Sequence, residues 1–168
     1  LEPTSPFSKW WVLFVAKRKE IFQSKKIICP QRSDINCFAY HEGEFFSSKD
    51  VYYITTKDRE INLKYMLSLL NSSLIFHWLY HKGKRKGTCL ELYYKPLSEI
   101  PIKKIPKAEQ KPFIELVDRI LVITKYEDYT VNPQKQAKVK SLEAEIDQLV
   151  YKLYDLTPEE IKIVEGEN

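Results

Sequence analysis

The sequence predicts an α+β fold: a small mixed or antiparallel β-rich half with an inserted helical hairpin, then C-terminal helices packed as an antiparallel pair. Short β-branched and aromatic runs, Lys26 to Pro30, Asp50 to Thr55 and Cys89 to Tyr94, are set apart by Gly, Pro, Asn and Ser, the pattern of brief strands joined by turns. Between the second and third runs, Leu63, Met66, Leu67 and Leu70 recur at helical spacing, and Asn71-Ser72-Ser73 breaks that helix and caps another over about 73 to 81. Beyond Pro106 the period lengthens into two long helices, about Ala108 to Tyr126 and about Pro133 to Tyr154.

Taken in order, residues 7 to 23 place Trp10, Phe14 and Ile21 near one helical face, with residues 10 to 15 also readable as a strand. The strand Lys26 to Pro30 is closed by its proline, and the polar loop Gln31 to Asn36 follows. Cys37 to Tyr40 and Glu44 to Phe46 read as a hairpin around His41-Glu42-Gly43. Asp50 to Thr55 is the clearest strand, and Lys57 to Glu60 is a charged loop. After the helical hairpin come Lys82, Lys84, Arg85 and Lys86, four cations in five residues beside Gly83 and Gly87. Such a cluster cannot be buried without partners and reads as a solvent-facing loop. The strand Cys89 to Tyr94 leads to a Pro96 turn and an extended Ile102 to Ile105. Phe113, Leu116, Val117 and Ile120 then mark one helix, and Leu142, Ile146, Leu149 and Leu153 a heptad-like stripe on the next. Thr157-Pro158-Glu159-Glu160 is a capping box opening a last short helix. The organisation expected is a linker helix at 1–23, a β-rich unit at 24–106 and a helical unit at 107–168.

Composition bounds the function. Apolar residues make up 43% and aromatics 13%, with 11 tyrosines, enough for a core and for exposed rings on a binding face. Only 4 glycines are present, against a glycine-rich nucleotide fold. The net charge of +4 is uneven: the interior holds the basic clusters, and Glu159, Glu160, Glu165 and Glu167 make the end acidic, which suits an anionic partner docking on one side. The cysteines Cys29, Cys37 and Cys89 have no CxxC spacing, and His41, His77 and His81 do not complete a zinc set. Reduced, partly buried thiols in a cytoplasmic protein are expected. His77 and His81, four apart, could share a metal only with a third ligand that no neighbouring acid supplies. No apolar run approaches the roughly 18 residues of a membrane span. The chain opens on Leu1 with Met66 as its one methionine, and reads as a fragment.

The cationic loop suits contact with a phosphate backbone; a solvated lysine-rich turn is the alternative. The Gln31 to Asn36 loop offers Arg, Asp and Asn, side chains that read guanine, cytosine and adenine edges, although the same residues make ordinary surface turns. The run from Trp78 to Ile102, WLYHKGKRKG followed by LELY and PLSEIPI, resembles the TaqI-like specificity domain of adenine-specific DNA methyltransferases. That domain is the C-terminal target-recognition part of many type II restriction-modification enzymes. Lys26 to Pro30, Phe38 to Tyr40 with Ser48 to Ile54, Leu69 to Ser72, and Ile146 to Tyr151 with Leu153 to Thr157 are similar to the family in the same order.

The resemblance implies double-stranded DNA as partner, a catalytic methyltransferase domain elsewhere in the parent chain, and S-adenosylmethionine as the parent's cofactor, with none held here. Joined to the chemistry of the two loops, this gives phosphate contacts expected at Lys82, Lys84, Arg85, Lys86, Lys25 and Lys26, and base reading expected at Arg32, Asp34, Asn36 and Tyr93. No Asn/Asp/Ser-Pro-Pro-aromatic motif occurs; Asn132-Pro133-Gln134-Lys135 lacks the second proline and the aromatic. No nuclease or nucleophile-base pattern stands out, so catalysis is expected outside this chain, with or without a nuclease domain. Two other readings stay open: a nucleic-acid binder without sequence preference, which stacks bases on rings such as Tyr52 or Tyr93, and a protein-interaction module using the C-terminal helix pair.

Overall fold

The computed structural model describes residues 19–47, 50–56 and 58–166; the expectations for residues 7–18 lie outside them. A short helix α1, Lys19–Gln23, leads into β1, Lys26–Pro30. β1 is the centre of a three-stranded antiparallel sheet, flanked by β3, Ala39–His41, and β4, Val51–Ile54. Buried Ile27 and Cys29 alternate with half-buried Ile28, as in a strand with one face on the core. A second three-stranded sheet joins β2, Arg32–Ser33, to β6, Cys89–Glu91, and β6 to β5, Lys84–Lys86.

Two expectations are corrected. Residues 37–40 and 44–46 do not pair as a hairpin; β3 pairs with β1 instead, with Ile27 opposite Tyr40. The turn at Gly43 (φ 92°) is real, but the chain beyond it runs back to α1, where Phe45 N donates to Phe22 O at 3.0 Å. The cationic stretch is not a loop: Lys84–Lys86 is a strand, turned onto β6 through Gly87 at φ 65°, a backbone region that favours glycine.

The helices follow the sequence closely. α2, Leu63–Leu70, is capped by Asn62, whose side chain accepts from Lys64 N, and α3, Ser73–Lys82, by Ser72, which accepts from Ile75 N. A short α4, Tyr94–Ser98, carries Pro96 in its first turn. α5, Lys107–Thr124, and α6, Pro133–Leu153, form the expected antiparallel pair. Lys135 near the start of α6 lies 4.0 Å from the ring of Tyr126 just past α5, and Arg119 meets Glu145 further along. The buried stripe of α6 is Val139, Leu142, Ile146 and Val150, with Leu149 and Leu153 half-buried beside it. α7, Pro158–Glu165, has the full capping box of Thr157 and Glu160.

A single cluster of buried side chains runs through both halves. Ile27 and Leu90 from the sheets, Leu69 and Ile75 from the hairpin, and Phe113 and Leu142 from the long helices all belong to it; each such burial contributes about 1.5–3 kcal/mol. Polar groups tie the halves together as well. Gln110 is 1% exposed, and its amide accepts from Asn62 N and donates to Glu60 O and Ile105 O. Tyr65 lies edge-on to Phe113 and donates to Lys103 O at 2.7 Å. Asp147 of α6 accepts from the backbone N–H and the hydroxyl of Ser73 at 2.8 and 2.7 Å, so a carboxylate from the helical end closes the N-terminus of α3.

Candidate functional site

The second sheet is the place where distant parts of the sequence meet. In register, Arg32 of β2 and Lys84 of β5 stand opposite Glu91 of β6, one on each side, and residues directly opposite share a face. The Glu91 side chain is only 7% exposed, yet those of its partners are 54% and 68% exposed. Its carboxylate is divided between them: Oε1 lies 3.6 Å from Arg32 Nη2 and Oε2 lies 3.1 Å from Lys84 Nζ. Both cations also lie near the ring of Tyr93, the guanidinium carbon at 6.0 Å and the ammonium at 5.8 Å from its centroid, within cation–π range. The result is a buried carboxylate and an aromatic ring, from which two cations project into solvent.

An open concavity of about 490 Å³ adjoins them, lined by Pro30, Gln31, Arg32, Asp50 and Tyr93. It forms because Gln31 links the two sheets: its N–H donates to Asp50 O at 2.9 Å and its carbonyl accepts from Leu92 N at 2.8 Å. Strand alternation divides the rest of the cationic run. Lys84 and Lys86 share the Glu91 face, whereas Arg85 stands opposite buried Leu90 and lies on the other face, its guanidinium 3.9 Å from the ring of Tyr80. The His77 and His81 rings lie 4.4 Å apart, tilted by 41°, and Tyr80 meets His81 edge-on at 5.2 Å. Burial, and then the nearness of His81, pulls the His77 imidazole below the ordinary histidine value. Among the described residues no group of three His, Cys, Asp or Glu is placed to hold a metal.

The remaining expected site residues separate. Lys82 is exposed at the end of α3 and Asp34 is exposed after β2, both with free reach. Lys25 pairs with Glu42 at 3.3 Å and lines a different concavity, with Tyr40, Arg59, Lys107 and Lys111. Two assignments are corrected. Lys26 is fully buried, and its ammonium donates to the carbonyls of Phe22 (3.0 Å), Ser24 (2.7 Å) and Gly43 (2.6 Å). Its three donors are used, so it is a strut under the first sheet and not a phosphate ligand. Asn36 donates both amide hydrogens, to Leu70 O at 2.9 Å and Ser72 O at 3.0 Å. An adenine contact needs one of those hydrogens, so Asn36 fastens its loop to the junction of α2 and α3. Asn71 does the same from the other side, accepting from Phe38 N and donating to Phe38 O.

Sequence reasoning missed Glu91, Gln31, Asp50 and Tyr80. An acidic residue in an apolar strand, Leu90-Glu91-Leu92, was a signal for the first, since a buried carboxylate demands cationic partners. The thiols also differ in placement. Cys29 is buried, which pushes it up to about 12, Cys89 is half-buried, and Cys37 is exposed.

The family model described as the TaqI-like C-terminal specificity domain matches residues 3–102, a span that takes in both sheets and the α2–α3 hairpin. The chain is 30% identical over 115 residues to the type II methyltransferase M.HindII of Haemophilus influenzae, an alignment covering 63% of this chain and 22% of that protein. It is 29% identical over 109 residues to the type II methyltransferase M.HincII of Haemophilus influenzae, covering 62% and 22%. The chain thus matches about a fifth of the length of these relatives. No described helix is long and apolar enough to cross a membrane.

Proposed function

We propose that this chain, which belongs to the TaqI-like C-terminal specificity domain family, is the DNA target-recognition module of a longer adenine-specific DNA methyltransferase or combined restriction-modification enzyme. The observation that carries the reading is the convergence of Arg32 and Lys84 on buried Glu91 beside Tyr93. A twisted ribbon of two strands fits the major groove. In this reading Lys82, Lys84, Arg85 and Lys86 grip phosphates, with Lys25 as an outlying contact, and Arg32, Asp34 and Tyr93 face base edges. The parent enzyme's catalytic domain would take the target adenine out of the stack and transfer a methyl group to it. The cytoplasm is the compartment this implies.

S-adenosylmethionine is implied for such a parent by the methyltransferase names of the relatives. The residues here do not fit it. Gly43 and Gly87 form turns, and Gly83 and Gly166 end α3 and α7. None stands at the strand-to-helix turn that cradles a nucleotide, so no step of the transfer is assigned to this chain.

The test is binding to a pool of random duplexes across a salt series, beside a variant with Lys82, Lys84, Arg85 and Lys86 changed to alanine. Recognition predicts enrichment of one sequence, and a slope of log K against log salt that shrinks by about 0.9 for each phosphate the variant no longer neutralises. Binding without enrichment in the whole enzyme would sink sequence reading and leave a general binder.

A further inference from the structure

We infer that Glu91 is a positioning residue for DNA reading: it ties Arg32, which faces bases, to Lys84, which grips phosphate, so that both meet the duplex in one register. This rests on the recognition reading above. A carboxylate next to a polyanion weakens attraction, and burying one is costly unless it is paired. Attraction to phosphate therefore gives no reason for an acid at the centre of this sheet, but geometry does. Glu91 occupies the middle strand, its two oxygens are shared between the cations on either side, and it is the buried member of both pairs.

Without it, Arg32 and Lys84 would repel each other across β6, and their long side chains would regain rotamer freedom. Binding would then lose its fixed geometry while the face gained net positive charge. Two measurable quantities should move in opposite directions. Affinity for unrelated duplexes rises, because one negative charge has gone. Preference for the correct base pair falls, because Arg32 no longer arrives at a set angle.

The experiment uses the whole protein, wild type and Glu91→Gln. Each is titrated at several salt concentrations with the enriched duplex, with a single-base-pair variant of it, and with unrelated DNA. Glutamine keeps the shape and removes the charge. The expected result is a loss of about tenfold in discrimination, within the range of one arginine–base contact, together with tighter binding to unrelated DNA. Unchanged discrimination with tighter unrelated binding overturns the inference, since Glu91 would then be only a local charge. A parallel fall of both affinities overturns it too, in favour of general structural damage.

Should Glu91→Gln fail to give a cooperative melt, the Arg32→Ala and Lys84→Ala cycle decides. Coupling through Glu91 predicts that the double variant loses less discrimination than the product of the single losses, and simple multiplication refutes it. A wild-type protein with no sequence preference removes the recognition reading itself, an outcome distinct from any of these.

Discussion

Lys26→Met separates a buried strut from a DNA contact. Methionine keeps much of the apolar stem and deletes the ammonium. Three hydrogen bonds disappear, to Phe22 O, Ser24 O and Gly43 O, and bonds to charged groups are worth about 1.5–3 kcal/mol each when considered singly. Two terms offset this. The ammonium no longer has to be held away from water, and burial already pulls it below the ordinary lysine value. Ser24 and Gly43 are also exposed residues, so water recovers part of their acceptors. The net loss is about 1–3 kcal/mol, which for a chain of this size lowers Tm by about 2–12 °C. Thermal melting by circular dichroism reads that loss. The same variant, well below its Tm, should bind DNA with the wild-type salt slope, whereas Lys84→Ala, likewise measured below its Tm, should lose about 0.9 from the slope. If Lys26→Met melts like wild type and its slope falls by about one, the strut assignment is wrong and Lys26 reaches phosphate after all.

Two further substitutions probe the joints of the fold. At Gly83 an added Cβ would stand 2.4 Å from Leu79 O, so Gly83→Ala should force the end of α3 and the start of β5 apart, costing about 1–3 kcal/mol and weakening DNA binding with it; urea denaturation with wild-type stability would contradict this. Asp147 is raised above its ordinary value by burial, partly opposed by the bonds from Ser73. A carboxyl raised in the folded state costs stability above its folded pKa, and the cost is relieved as pH falls through that value toward the unfolded one near 3.8. Asp147→Asn should therefore remove an acid-side gain in stability, while changing stability at neutral pH by less than about 1 kcal/mol because the amide can still accept from Ser73 N; denaturation midpoints from about pH 7 to about pH 3.5 that track wild type would refute the assignment.

Helices were legible because their signals are local. Asn62, Ser72, Thr157 and Glu160 mark helix starts by side-chain chemistry alone, and each does so in the structure. Strands beyond the apolar ones were not. Lys84–Lys86 has no apolar alternation, and its state depends on pairing with Cys89–Glu91 across Gly87, a fact about two segments. The same holds for β3, whose partner is β1 and not the residues next in line. For the candidate site, residue type singled out Arg32, Lys84 and Tyr93, and the second sheet draws these three together. It misjudged Lys26 and Asn36 because a lysine in a strand start and an asparagine in a loop look alike whether they face solvent or carbonyls. Only their neighbours decide, and those come from Gly43 and from Leu70.

The shared interior has a bearing on how such a module could be exchanged between enzymes. A graft cut after Pro106 would carry both sheets but strand Asn62 N–H and the carbonyls of Glu60 and Ile105 without the amide of Gln110. It would also bare Tyr65 where Phe113 had covered it and leave Ser73 without Asp147. A working transplant has to bring Lys107–Leu153 along, or else alter only the outward side chains at Arg32, Asp34, Tyr93 and the β5–β6 ribbon. On the recognition reading proposed above, new sequence preferences are more readily reached by repainting this surface than by trading the piece that bears it.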